Sequence, residues 1–331
     1  MIKEVKDEGI KNPSKYSAVP EVNKEYCEKA VKFILKKIDE NLDTFTYKFP
    51  AAASINNVYP AVDNTCWTAS FWTGMLWLAY EVTGDEKYRK VAEIQLESYK
   101  DRIYGRKHID THDLGFLYSL SCVAAYKLTG NEDAKRTALE AADRLMDRYF
   151  EKAGIVQAWG DLSNSEQRGR MIIDCCMNLP LLYWASEMTG NKKYHNAAHS
   201  HASQAAKYIV REDASSFHTF YMNVETGEPR FGKTHQGYSD DSCWARGQAW
   251  GIYGFPLSYI YTGDWSLIEL NKKMANYFLN RLPDDYVSYW DLIFTEGDEE
   301  RDSSAVAIAA CGLLEMAKHL PLTDEYRRTY E

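Results

Sequence analysis

The chain has 331 residues, 45% apolar and 26% charged, with a formal net charge of −9 at pH 7. That is ordinary globular composition, and the length allows a large core. The negative balance shows no basic footprint for a nucleic acid, and no window approaches the roughly 18 consecutive apolar residues of a membrane span, so neither partner is expected. The N-terminal run from Met1 to Glu8 is interrupted by charge and has no apolar stretch of signal length. The seven cysteines are Cys27, Cys66, Cys122, Cys175, Cys176, Cys243 and Cys311, with no Cys-x-x-Cys pair. Scattered thiols of odd number fit a reducing, cytoplasmic setting.

In chain order, helical periodicity predicts helices over 22–40, 65–82, 86–102, 113–128, 132–149, 170–188, 192–211, 241–261, 265–280, 302–319 and 324 onward. A short motif punctuates them: Thr83-Gly84-Asp85, Thr129-Gly130-Asn131, Thr189-Gly190-Asn191 and Thr262-Gly263-Asp264, with a degenerate copy at Leu322-Thr323-Asp324. Glycine ends one helix in the left-handed conformation, and Asp or Asn caps the next through its side-chain oxygen. Each motif therefore predicts a tight turn between antiparallel helices. Some short strand pairing is expected within 215–240, where Phe217, Phe220, Tyr221 and Phe231 surround Gly227 and Gly232.

Tight and long connections alternate, which places the long loops on one face of a ring of helical hairpins. The expectation is an all-α fold, an (α/α)6 barrel, forming a single catalytic domain over 1–331. Six hairpins need twelve helices and eleven segments are read, so the barrel as given is expected to lack its final C-terminal helix.

Candidate chemistry lies in four clusters on the loop side. The first is Asp63-Asn64-Thr65-Cys66-Trp67, and the second runs from Asp110 through Thr111, His112 and Asp113 to Phe116. The third contains Asp174 inside the apolar run Met171-Ile172-Ile173-Asp174-Cys175-Cys176, predicted to be buried. A buried carboxylate suits a general acid because desolvation favours its neutral form; it equally suits a structural acid satisfying backbone N–H groups or an arginine. Asp113, at a predicted helix start, also fits a plain capping acid.

The fourth cluster runs from Thr234-His235-Gln236-Gly237-Tyr238 to Trp244-Ala245-Arg246 and Trp250. Arg246 and Trp250 are four apart and share a helix face, a guanidinium for a carboxylate beside a ring for a sugar. Against that stands a capped helix start with a core Trp. Trp159 and His218 lie in long loops. His195, His199 and His201 share a helix with no acid near them in sequence, so no metal site is expected.

At these clusters the sequence resembles the unsaturated glucuronyl hydrolases, glycoside hydrolase family 88. The motifs are His112-Asp113-Leu114-Gly115-Phe116, Ile173-Asp174-x-x-Met177-Asn178, and His235-Gln236-Gly237 through Trp244 to Trp250. The resemblance spans about 20–320 and implies an (α/α)6 barrel without a cofactor. It implies that Asp174 is the general acid/base and Asp113 the second acid. It implies that Trp67, His112, Trp159, His218, Gln236, Arg246 and Trp250 line the substrate pocket.

The implied substrate is an unsaturated acidic di- or oligosaccharide, a lyase product whose C4=C5 vinyl ether is hydrated. A monomer or weak homo-oligomer is expected. Members continue past the last residue here, in a segment that touches the neighbouring sugar. The rival readings are an unsaturated rhamnogalacturonyl hydrolase, a non-catalytic sugar-binding barrel, and a sugar epimerase, which would want axial histidine bases.

Overall fold

At each Thr-Gly-Asp/Asn motif the chain turns as expected. Gly84, Gly130, Gly190 and Gly263 are left-handed, with φ between 67° and 72°. Asp85, Asn131, Asn191 and Asp264 each accept a backbone N–H from the first turn of the following helix. The threonine has a role that glycine and cap alone do not explain. Thr83, Thr129, Thr189 and Thr262 donate their hydroxyls to the carbonyl four residues back. In three of the turns the same hydroxyl accepts the Asp or Asn backbone N–H.

The computed structural model describes residues 4–17 and 22–331; Met1, Ile2 and Lys3 of the charged N-terminal run, and 18–21, lie outside the described residues. The chain divides into two compact units, Val19–Asp147 and Met1–Ala18 with Arg148–Glu331. Among the described residues no helix is long and apolar enough to cross a membrane.

Before the smaller unit lies α1 (Ser14–Ser17). The smaller unit comprises α2 (Lys24–Asn41), the two-stranded β1 (Phe49–Pro50) and β2 (Ala61–Val62), α3 (Ala69–Thr83), α4 (Glu86–Tyr104), α5 (Leu114–Tyr118), α6 (Ala124–Thr129) and α7 (Glu132–Met146). In α7 the buried residues Ala134, Thr137, Ala138, Ala141, Ala142 and Leu145 form the expected apolar stripe. The helix expected over 113–128 is interrupted by a π turn at Ser119–Val123. There Ser121 donates its hydroxyl to the Leu117 carbonyl and competes with the helical ladder. The helix expected from 65 begins at Ala69, because the Asn64 and Cys66 carbonyls accept hydrogen bonds from Arg102 instead.

The larger unit carries the hairpin β3 (Tyr149–Phe150) and β4 (Ile155–Val156), then β5 (Arg170–Ile172), a 3-10 turn at Ile173–Met177, α8 (Leu179–Thr189) and α9 (Lys192–Gln204). It continues with β6 (Thr219–Met222), β7 (Pro229–Lys233), α10 (Ala245–Thr262), α11 (Trp265–Leu279), α12 (Ser303–His319) and α13 (Arg327–Tyr330). The strand pairing expected within 215–240 is β6 against β7.

The helices expected over 170–188, 192–211 and from 324 need correction in this unit. The helix expected over 170–188 opens as a strand, with Met171 opposite Phe220 and Ile172 opposite Thr219. The β-branched pair Ile172-Ile173 favours that extended start, and Pro180 allows a helix only from its own first turn. The helix expected over 192–211 closes with a π turn at Ala205–Ile209 and leaves at Val210, which bridges Ser216. The segment from 324 onward is one turn, Arg327–Tyr330: Leu320 leaves α12 extended, and Asp324 ties down Lys272 at 2.5 Å.

Pro256 lies inside α10 and frees the Ile252 carbonyl. Asn271 of α11 donates to that carbonyl at 3.0 Å. Gly312 of α12 packs against the same carbonyl, where a Cβ would lie 2.5 Å from its oxygen.

Candidate active site

In the smaller unit one buried arginine builds the loops. Arg102, 3% exposed, donates to the Asn64 side chain at 2.8 Å, to the Asn64 and Cys66 carbonyls, and to the His108 carbonyl at 2.8 Å. Burial lowers its pKa from the usual arginine value. These bonds join the loop before α3, which carries Trp67, to the loop before α5, which carries His112 and Asp113. Trp67 is half-buried and packs edge-on against Phe71 and at a tilt against Phe116, at 5.8 and 5.4 Å between ring centroids.

Asp113 stands at the start of α5, yet its side chain makes no capping hydrogen bond. Its Oδ2 accepts from the Thr111 hydroxyl at 2.6 Å, and its Oδ1 lies 3.5 Å from His112 Nε2. That geometry removes the plain capping account. His112 and Asp113 are both buried, at 1% and 8%.

In the larger unit Asp174 sits on the 3-10 turn just beyond β5. It is half-buried rather than buried, while Ile173, Cys175 and Cys176 around it are fully buried. Asp174 is the second residue past β5, flanked on the turn by those buried side chains. Glycine sets how closely this turn approaches α10: a Cβ on Gly247 or Gly251 would reach Ile173 at 3.3 or 3.2 Å, and one on Gly254 would strike Cys176 at 2.4 Å. The spacing 247, 251, 254 is a helix face made of glycine. Burial, then the Asp174 carboxylate, pushes the Cys176 thiol up, so it stays protonated.

The aromatic and basic residues form a connected chain. Arg148 clamps the loop holding Trp159 by donating to the Gln157, Ala158 and Gly160 carbonyls. The Arg170 guanidinium lies 3.9 Å over the Trp159 ring, and its Nε donates to Tyr221 at 2.8 Å. Trp159 also meets His235 at 5.0 Å. His218 packs on Trp244 at 4.5 Å, and its Nδ1 accepts the backbone N–H of His235 and of Gln236. Burial first, then His235 and Arg246, lower the His218 pKa to about 3. The imidazole is therefore neutral, with its proton on Nε2.

Arg246 opens α10 over the Trp244 ring at 4.8 Å and pairs with Asp302 at 2.7 Å. Trp250, one turn on, is 5% exposed. A cleft of about 370 Å³ lies beside Arg246, lined among others by Gln236, Trp244, Trp290 and Asp302.

The structure thus links Trp159, His218, Gln236 and Arg246, with Asp174 one residue from Ile173, whose N–H donates to the His218 carbonyl. The sequence reading missed Arg102, Arg148, Asp291 and Asp302 as supports. Asp291 is fully buried and accepts from Tyr238 N, Ser242 Oγ, Cys243 N and Ile293 N, which delays α10 from 241 to 245. The glycine face of α10 was a signal in plain view. The three histidines of α9 do not converge: His201 Nδ1 accepts the Val156 N–H, while His195 and His199 lie 6.3 Å apart. The fold brings an acid to them in space. Asp264, remote in sequence, comes within 3.6 Å of His199.

A model of the family described as Glycosyl Hydrolase Family 88 matches residues 21–331. The unsaturated chondroitin disaccharide hydrolase of Streptococcus pneumoniae is 51% identical, over 100% of this chain and 84% of that protein. The crystal structure of unsaturated glucuronyl hydrolase from Streptococcus agalactiae is similar at TM-score 0.97 and 50% identity, covering 100% of this chain and 83% of that one. A mutant of the latter enzyme, complexed with dGlcA-GalNAc6S, is similar at TM-score 0.88 and 47% identity, over 100% and 82%.

The fold is that of a helical-hairpin glycosidase, and the all-α (α/α)6 class expected from the turns is the class of these structures. The chain belongs to glycosyl hydrolase family 88.

Proposed function

We propose that this chain releases the unsaturated uronic acid from the non-reducing end of lyase-generated glycosaminoglycan oligosaccharides of chondroitin, hyaluronan or heparin type. The observation that carries the reading is the likeness, along the whole chain, to an enzyme solved with dGlcA-GalNAc6S.

The chemistry follows from the substrate's vinyl ether. The Asp174 carboxyl gives its proton to C4, and positive charge develops at C5, shared with the ring oxygen. Water adds at C5, and the carboxylate, now charged, takes the water's proton. The resulting hemiketal opens by breaking the C5–O5 bond, its hydroxyl proton passing to O5 as C5 becomes a ketone. C1 is then a hemiacetal, which collapses to an aldehyde by breaking the bond from C1 to the glycosidic oxygen, and the neighbouring sugar leaves with that oxygen and the hemiacetal's proton. The net change is addition of one water, no electron transfer is involved, and no cofactor is needed. This differs from displacement at the anomeric carbon by a carboxylate pair.

In this reading Asp113 holds sugar hydroxyls, oriented by Thr111. Trp67, Trp159 and Trp250 offer apolar faces to the sugars. Neutral His218 donates from Nε2, and Gln236 and Arg246 meet the substrate's carboxylate, while His112 backs Asp113. The unbroken family match over 21–331 supports one catalytic domain. Seven free thiols support a cytoplasmic setting. A monomer or weak homo-oligomer fits a site that needs no second copy.

The test is an assay of unsaturated uronosyl-hexosamine disaccharides against unsaturated rhamnogalacturonan disaccharide, following the ultraviolet absorbance of the conjugated double bond. Absorbance falls with the hexosamine-linked substrates. Preference for the rhamnose-linked substrate, or binding without absorbance loss, contradicts the reading.

A further inference from the structure

Arg246 is not presented to the cleft as an open fork. Its Nη1 donates to Asp302 Oδ2 at 2.7 Å and to Ser304 Oγ at 3.1 Å. Its Nη2 points to Gln236 Oε1, 3.5 Å away. Asp302 is itself fixed from several sides. Its Oδ1 caps α12 by accepting the Ala305 N–H at 3.1 Å and the Ser304 hydroxyl at 2.5 Å. Its backbone N–H donates to the Ser288 carbonyl, and its side chain is 9% exposed. The two oxygens thus divide the work: one holds the helix, the other holds the arginine.

We propose that Asp302 is a positioning residue for substrate recognition. It ties up the Nη1 edge of Arg246, so that the substrate's carboxylate is met by the Nη2 edge together with the Gln236 amide. A flexible arginine with four torsions would otherwise sample many poses over Trp244. With Oε1 turned to the guanidinium, the Gln236 NH2 group is free to act as the second donor. The substrate's anion is therefore gripped by two residues, each with one prong. This rests on the reading that Arg246 and Gln236 meet that carboxylate.

The experiment uses Asp302→Asn, which keeps an oxygen for the α12 cap and removes the charge. Asp302→Ser, with a hydroxyl that also caps, is the second variant should the first fail to fold. Each is assayed on an unsaturated uronosyl-hexosamine disaccharide and on its uronate methyl ester, with Arg246→Gln in parallel. The expected result is a KM raised about tenfold on the acid, the size of one charged hydrogen bond, with kcat within about twofold. The ester is expected to show less than about a twofold change, because it has no charge to grip.

An equal loss on acid and ester shows a merely structural role and overturns the proposal. A lowered KM shows that Asp302 competes with the substrate's charge, and overturns it too. If Arg246→Gln itself fails to discriminate acid from ester, the underlying reading of Arg246 falls instead.

Discussion

The Nδ1 of His218 accepts a hydrogen bond from the backbone N–H of Gln236 at 2.9 Å. The bond is possible only while Nδ1 is unprotonated, and burial holds the His218 pKa near about 3 against 6.5 for the free side chain.

Acid should therefore act on this loop in a defined window. The unfolded chain binds one more proton than the folded chain between pH 6.5 and about 3. Stability from this group is fully present above 6.5 and is lost as pH falls through that window. Between pH 7 and pH 5 the loss attributable to His218 is about 2 kcal/mol. Urea unfolding of the parent and of His218→Asn at both pH values checks this. The variant should lose about 2 kcal/mol less than the parent on going to pH 5, and equal losses would sink the account.

Arg102→Lys removes the planar fork that joins the Trp67 and Asp113 loops. Lysine cannot reach Asn64, Cys66 and His108 together, so buried carbonyls lose their donors. The expected cost is about 3 kcal/mol in urea unfolding, with kcat/KM falling beyond what the unfolded fraction explains. Unchanged unfolding would show that the loops hold themselves.

Gly254→Ala tests the glycine face beneath Asp174. Its Cβ would meet backbone as well as side-chain atoms of Cys176, so the 3-10 turn must shift. The expected cost is about 1–3 kcal/mol, with a loss of kcat. Gly84→Ala is the control: φ is 68° there and no atom lies within 4 Å, so it costs about 1–2 kcal/mol and leaves kcat intact. Equal kcat in both variants would remove the glycine face from the mechanism.

The helical hairpins were legible because their signals are local. Gly84 and Asp85 act on residues within four positions, so three letters of sequence carry the turn. Asp174 was legible as one acid in an apolar run, though its partly buried pose was not. That pose depends on β5 pairing with β6, across a gap no periodicity spans. Asp302 and Asp291 were hidden for the same reason: their partners Arg246 and Ser242 lie 56 and 49 positions away. A three-residue strand such as Arg170–Ile172 offers too few alternations to distinguish it from a helix start.

The central claim is that Asp174 moves the proton. The most direct measurement compares the parent with Asp174→Asn on an unsaturated uronosyl-hexosamine disaccharide, following absorbance loss for turnover and calorimetry for binding. The account predicts near-complete loss of turnover with disaccharide binding retained. Turnover at the parent's rate by Asp174→Asn would contradict it.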